Sequence, residues 1–215
     1  MIIKKKNYRF HISPKNRKLV PSKDVNFLIW NLPARRTCPF RTRLCDLHCY
    51  AVKAENFYPD ALPARLDNLA ASKSADFVDV MTETILTKAR NQRKPRLIVR
   101  IHESGDFYNR EYAMKWLQIA RNCQDCEKVL FIAYTKSFVY FDGVDLPGNF
   151  SLRASVWADT SMDQIDMILR NNWPIYTAVE KFTDHDKFHQ CRCEDCATCG
   201  ACWDKTIPDI RCEIH

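Results

Sequence analysis

The chain has 215 residues, with 46% hydrophobic and 27% charged residues, 11 cysteines, four glycines and a net charge of +7. This composition excludes disorder and a small disulfide scaffold, and no apolar run reaches the roughly 18 residues of a transmembrane helix. No apolar stretch follows the first lysines, so no secretory signal is expected, and in a reducing cytoplasm many cysteines point to metal rather than to disulfides.

Residues 1–43 hold 12 Lys/Arg against one acid, Asp24, a balance of +11, while the remainder has a balance of −4. Residues 1–24 are expected as a basic arm. The whole segment 1–43 offers a counter-charge to nucleic-acid phosphates; a solvated arm with arginines flanking a cofactor is the alternative. Residues 25–32 (VNFLIWNL) read as a strand closed by Pro33, and a loop carrying three cysteines follows. Phe77, Val80, Met81, Thr84, Ile85 and Lys88 recur at helical spacing and stop before Pro95. RLIVRIHESGDF (96–107) is a β-branched run. A helix is expected over 110–121, with Tyr112, Trp116, Leu117 and Ala120 on one face and Asn109 as its N-cap. KVLFIAYTKS (128–137), FSLRASVWAD (150–159) and WPIYTAVEK (173–181) read as further strands, and Ser161 with Gln164 forms a capping box for a helix between the last two.

This alternation is the pattern of a parallel sheet covered by helices. Five or six strands are too few for a complete eight-fold barrel, so a shortened or partial (β/α) barrel over residues 25–190 is expected, with an open α/β sheet as the alternative. Sites in parallel α/β folds lie at the carboxyl ends of the strands. That rule selects Asp106 and Lys136 as catalytic candidates that orient a ligand, and His102, Ser104 and Tyr134 as residues lining a cofactor. The competing readings are a helix cap for Asp106, a surface lysine for Lys136 and a core aromatic for Tyr134.

Cys38, Cys45 and Cys49 place three thiols within 12 residues. Three thiolates can bind three irons of a cubane and leave the fourth open; zinc is the alternative, with His48 completing a Cys3His site. In HQCRCEDCATCGACW, Cys193, Cys196, Cys199 and Cys202 repeat at x2 spacing, as in ferredoxin-type ligation, and Cys191 is a rival for the first position. Cys123, Cys126 and Cys212 read as incidental or spare. These ligands allow one or two [4Fe–4S] clusters, with residues 191–215 as a cluster-binding segment packed on the barrel.

NLPARRTCPFRTRLCDLHCYAVKAE, RIHESGDFYNREYAMKWLQIA, FIAYTKS and CATCGACW, in that order, resemble the phage-borne family named for mycobacteriophage gene product 88, over about residues 27–204. The matching positions are Cys38, Cys45, Cys49 and Tyr50; Arg100, Ser104, Gly105, Asp106 and Phe107; Tyr134, Thr135 and Lys136; and Cys196, Cys199, Gly200, Cys202 and Trp203. The resemblance implies a virus-encoded iron–sulfur protein on an α/β barrel related to radical S-adenosylmethionine (SAM) enzymes. In those enzymes three cysteines after the first strand hold a cluster whose open iron takes the SAM amino and carboxylate groups. The spacing here is x6, x3 in place of their usual x3, x2, and the chain has no Gly-Gly pair. The first expectation is an iron–sulfur cluster-binding protein of radical-SAM-like architecture, whose open iron is available for radical or Lewis-acid chemistry and whose partner is a small molecule or a host protein. Its rivals are a redox sensor or electron carrier that binds nucleic acid or a host protein, and a structural zinc protein that binds nucleic acid. No membrane partner is expected.

Overall fold

The computed structural model of the chain describes residues 1–5, 8–182, 188–192 and 195–214. β1 (Ile2–Lys4) and β2 (Arg9–His11) form an antiparallel hairpin. β3 (Val25–Trp30), β4 (Arg96–Ile101), β5 (Val129–Thr135), β6 (Phe150–Val156), β7 (Ile175–Val179), β8 (His189–Cys191) and β9 (Ile210–Glu213) form one sheet, in the order β3-β4-β5-β6-β7-β9-β8. Every pairing in that sheet is parallel, and it curls into a half-barrel. The expected partial parallel barrel is therefore present, with β8 and β9 beyond the strands read from the sequence.

Helices α1 (Arg43–Leu47), α2 (Tyr50–Phe57), α3 (Ala61–Ser72) and α4 (Phe77–Asn91) lie between β3 and β4. α5 (Arg110–Asn122) joins β4 to β5, α6 (Met162–Arg170) joins β6 to β7, and α7 (Cys196–Cys199) lies between β8 and β9. No described helix is long and apolar enough to cross a membrane.

Strands buried on both faces are apolar along most of their length, which is why β3, β4 and β5 read as nearly continuous runs, interrupted only by Asn26 in β3 and Arg100 in β4. On the outer face Leu28, Trp30, Val99, Ile101 and Phe131 pack with Val80, Met81 and Ile85 of α4 and Trp116 and Leu117 of α5. Each such large side chain contributes about 1.5–3 kcal/mol on burial. Asn109 Oδ1 accepts from the Tyr112 N–H at 2.8 Å and starts α5, while the Ser161–Gln164 capping box starts α6.

Among the described residues, the one-turn helix α7 and the chain after it cover the inner face. There Phe27, Ile29, Ile98 and Ile132 meet Cys196, Ala197, Cys202 and Trp203 of the C-terminal segment. Arg153 of β6, 1% exposed, fixes that segment. Its guanidinium donates to the carbonyls of Ala201, Cys202, Asp204, Ile207 and Pro208 at 2.9–3.1 Å. Residues 210–213 enter the sheet itself, between β7 and β8.

Residues 1–24, read as a basic arm, are tied to the body. Phe10, Ile12 and Leu19 are buried, the His11 N–H donates to Asn68 Oδ1 at 2.7 Å, and Arg9 and His11 pair with Asp67 of α3 at 2.7 and 2.8 Å.

Candidate metal centre

After β3 the chain turns back over the carboxyl ends of β4, β5 and β6. Asn31 Oδ1 accepts from the N–H groups of Glu103 and Ser104, both at 2.9 Å, and Ser104 Oγ donates to the Leu32 carbonyl at 2.9 Å. Gly105 has φ +81, and a Cβ there would stand 2.6 Å from Thr37 Oγ1 and 2.7 Å from Leu32 Cβ. Only glycine lets the two loops approach this closely.

The expected cysteine loop contains helical turns. Cys38 lies in the loop, Cys45 inside α1 and Cys49 at the N-cap position of α2. The turns bring the three together, near enough for Cys38 to feel the charge of Cys45 and Cys49, and Cys45 that of Cys49. α1 is held against the β6 exit, because the Leu44 N–H donates to Asp159 Oδ2 at 2.8 Å and the His48 ring stacks on Trp157 at 5.8 Å.

Burial, followed by the Asp106 charge, pushes the Cys38 thiol up to about 12. Burial also pushes Cys45 up, opposed by the positive charge of Lys136 beside it. Lys136 Nζ donates to Ser155 Oγ at 2.9 Å and stands 5.6 Å from the centre of the Trp157 ring. Thiols in such surroundings lose their protons to a competing cation, and a bound metal is one.

Asp106 Oδ1 accepts from Thr135 Oγ1 at 2.5 Å and from its neighbour's N–H, that of Phe107, at 2.8 Å. Oδ2 accepts from the Lys136 N–H at 2.9 Å. Burial raises its pKa and these bonds oppose the rise. Both oxygens are thus committed to tying the β4 exit to the β5 exit. His102 faces the helix layer. Its Nε2 lies 2.9 Å from the Tyr112 hydroxyl, its ring lies 4.6 Å from that of Phe107, and burial holds its pKa well below 6.5.

On the inner face, Tyr134 stacks on Tyr176 at 4.3 Å, and the Arg100 guanidinium lies 3.7 Å above the Tyr134 ring. Burial, with Cys202 near Tyr134 and with Tyr134 and Cys212 near Tyr176, pushes both phenols up. Cys191 and Cys212 face each other across β8 and β9. Cys199 Sγ is 3.3 Å from His189 Nε2, and Cys196 is half-buried against the inner apolar group. Cys193 lies outside the described residues. Among the described residues, no three His, Cys, Asp or Glu side chains converge closely enough to grip a single metal ion. The Cys123 thiol is buried with the outer helix layer, and burial followed by Cys126 pushes it up to about 12.

Arg100 lies against Tyr134 on the inner face, on the Cys202 side. It is 8% exposed, and its buried Nη1 has no hydrogen-bond partner among the described residues. Its charge acts on Tyr50, the residue after Cys49, and on Tyr134 and Cys202. Sequence reasoning missed this buried cation, as it missed Tyr176, His189 and the anchoring role of Arg153. The signal was an arginine inside each of two apolar strands, RLIVRI and FSLRASV, at positions that alternate onto the inner face.

The Gene 88 protein of Mycobacterium phage D29 is 30% identical over 105 residues, which cover 46% of this chain and 42% of that protein. The Gene 88 protein of Mycobacterium phage L5 is 32% identical over 105 residues, covering 46% of this chain and 43% of that protein. The matched stretch spans less than half the length of either relative. No solved structure matches the chain. The family described as Gene product 88 matches residues 4–205, and the chain belongs to that family.

Proposed function

We propose that Cys38, Cys45 and Cys49 hold a [4Fe–4S] cluster at the carboxyl mouth of the half-barrel and leave one iron open to a ligand. The observation that carries this reading is that Cys38, Cys45 and Cys49 stand within range of one another's charge, with the Lys136 ammonium beside Cys45. A cation beside thiols favours their ionised form, and a thiolate-ligated cluster is an anion that it stabilises. When bound, the cluster supplies an electron and an open Lewis-acidic iron, for which SAM is the ligand that the family resemblance suggests.

The chemistry of the neighbouring residues supports such a group. Lys136 sets a positive charge against Cys45 and is itself steered by Ser155. Asp106 holds the rim in place through Thr135, Phe107 and Lys136. The stacked His48 and Trp157 rings lie beside Cys49 and Lys136, where an apolar wall would tune a cluster's potential. Tyr134, with Arg100 above it, lines the inner face next to Cys202.

Anaerobic purification followed by iron, sulfide and zinc analysis tests this. About four irons per chain, or a multiple, with matching sulfide are expected, and Cys45→Ala and Cys49→Ala each release them. Colourless protein with stoichiometric zinc overturns the reading. With iron present, reductive cleavage of SAM to 5′-deoxyadenosine tests the radical step; no cleavage and no spectral change on adding SAM remove SAM from it. A second reading, zinc in the C-terminal segment, draws on the contact between Cys199 and His189, since thiolate and imidazole are ordinary zinc ligands. Zinc alongside iron, lost in Cys199→Ala, supports that site.

A further inference from the structure

We propose that the exposed side of α1 and α2, at the rim of the thiol group, binds single-stranded nucleic acid. This rests on the metal-centre reading for its catalytic meaning, since it names the class of substrate brought to that mouth.

The inward side of α2 is set by Ala51, which is buried, and by Glu55, which accepts from the Ala34 N–H and from Arg65, both at 2.8 Å. The opposite stripe is Tyr50, Lys53 and Phe57, at i, i+3 and i+7, and Leu47, the last residue of α1, is exposed three residues before it. Leu47 is 69% exposed, Tyr50 54%, Phe57 76% and the adjoining Tyr58 59%. The Phe57 and Tyr58 rings meet edge to face at 4.9 Å. A solvent-facing helix side is ordinarily polar, and a contiguous exposed apolar patch marks a contact surface.

The charge around the patch selects the partner. Arg35, Arg36, Arg41 and Arg43 are all exposed on the adjoining loop and the start of α1. Asp46 is occupied by Arg35 at 2.7 Å and Arg41 at 3.4 Å. Arg36, Arg43 and Lys53 have no ion pair among the described residues, and the carboxylate of α2, Glu55, is turned inward and taken by Arg65. Aromatic faces interleaved with unpaired cations suit stacked bases and their phosphates, and a duplex would keep its bases out of reach. Tyr50 and Phe57 lie about 10 Å apart along the helix axis. That span accommodates about three nucleotides stacked at about 3.4 Å. The Tyr50 hydroxyl is anchored on the Glu103 carbonyl and Cys49 precedes it, so a base on the Tyr50 ring lies at the mouth.

Fluorescence anisotropy of the full chain with labelled oligothymidylate, and with oligouridylate of the same length, tests the proposal. Binding that weakens steeply with salt is expected, and the tighter of the two oligomers names the sugar. Phe57→Ala and Tyr58→Ala should each weaken it about five-fold or more. Arg43→Gln and Lys53→Gln should flatten the salt slope, while Lys5→Gln, on the distant hairpin, leaves both unchanged. No binding at low salt, or binding that survives Phe57→Ala and Tyr58→Ala, overturns the proposal. So does a result in which those variants abolish only self-association, since the face is then a protein interface. Iron and sulfide content of the same samples scores the metal centre separately: iron without binding overturns the surface alone, and binding without iron overturns the cluster alone.

Discussion

His102 combines a left-handed backbone, φ +60, with a buried imidazole whose Nδ1 has no partner among the described residues. Burial, then the Arg100 charge, depresses its pKa well below 6.5. In the unfolded chain the ring takes a proton near 6.5, and in the folded chain only at lower pH. The stability tied to neutral His102 is therefore complete above 6.5 and is lost as pH falls below it. Urea unfolding between pH 7 and 5 should show a decline of up to about 1.4 kcal/mol per pH unit, and His102→Asn should flatten it even while lowering stability at pH 7. Gly105 makes the second residue-scale prediction. Gly105→Ala drives a methyl into Leu32 and Thr37 at a positive φ, so it should cost more than about 1 kcal/mol and displace the cysteine loop. The check is thermal unfolding together with iron retention. The thiol spacing was legible because it is local in the chain. The orphaned Nη1 of Arg100 was not, because it depends on which strands happen to neighbour β4.

At the scale of elements, the inner face is closed by the single turn of α7 and the irregular chain that follows it. Arg153 satisfies five carbonyls between Ala201 and Pro208, and burial lowers its pKa without displacing the proton from so basic a group. Arg153→Leu leaves those carbonyls unbonded in an apolar interior, and the expected loss exceeds about 3 kcal/mol in urea unfolding. Arg153→Lys should recover part of it. Elements with long periodic or unbroken apolar patterns, β3 to β7 and α4 to α6, were readable, including the caps at Asn109 and Ser161. α1 to α3 were not. α1 has five residues, and α3 carries Pro63 in its first turn, where proline is tolerated although it reads as a breaker. β8 and β9 were hidden by their length of three and four residues and by their Cys, His, Arg and Glu content.

At the scale of the molecule, an incomplete barrel has two edges to protect. Ser13 pairs with Ile29 and blocks part of the β3 edge, and β8 on the other side is only three residues long. β9 is the piece that makes the far side continuous, since β7 and β8 each pair with it and not with one another. Deleting residues 206–215 therefore removes an internal strand, together with the Ile207 and Pro208 acceptors of Arg153. The shortened chain should aggregate or lose its sharp unfolding transition, read by gel filtration and calorimetry. Deleting residues 1–5, which removes β1 from the separate hairpin, should leave the transition in place at a lower temperature.

β9 is later in the chain than both of its neighbours. On the ribosome the amino-terminal parts fold first, so the growing polypeptide holds β7 with an uncovered side and β8 with nothing to join until residues 210–213 emerge. Assembly of this half-barrel is then an act of insertion rather than of addition. The interval before it is when a neighbouring nascent chain can supply the wrong strand.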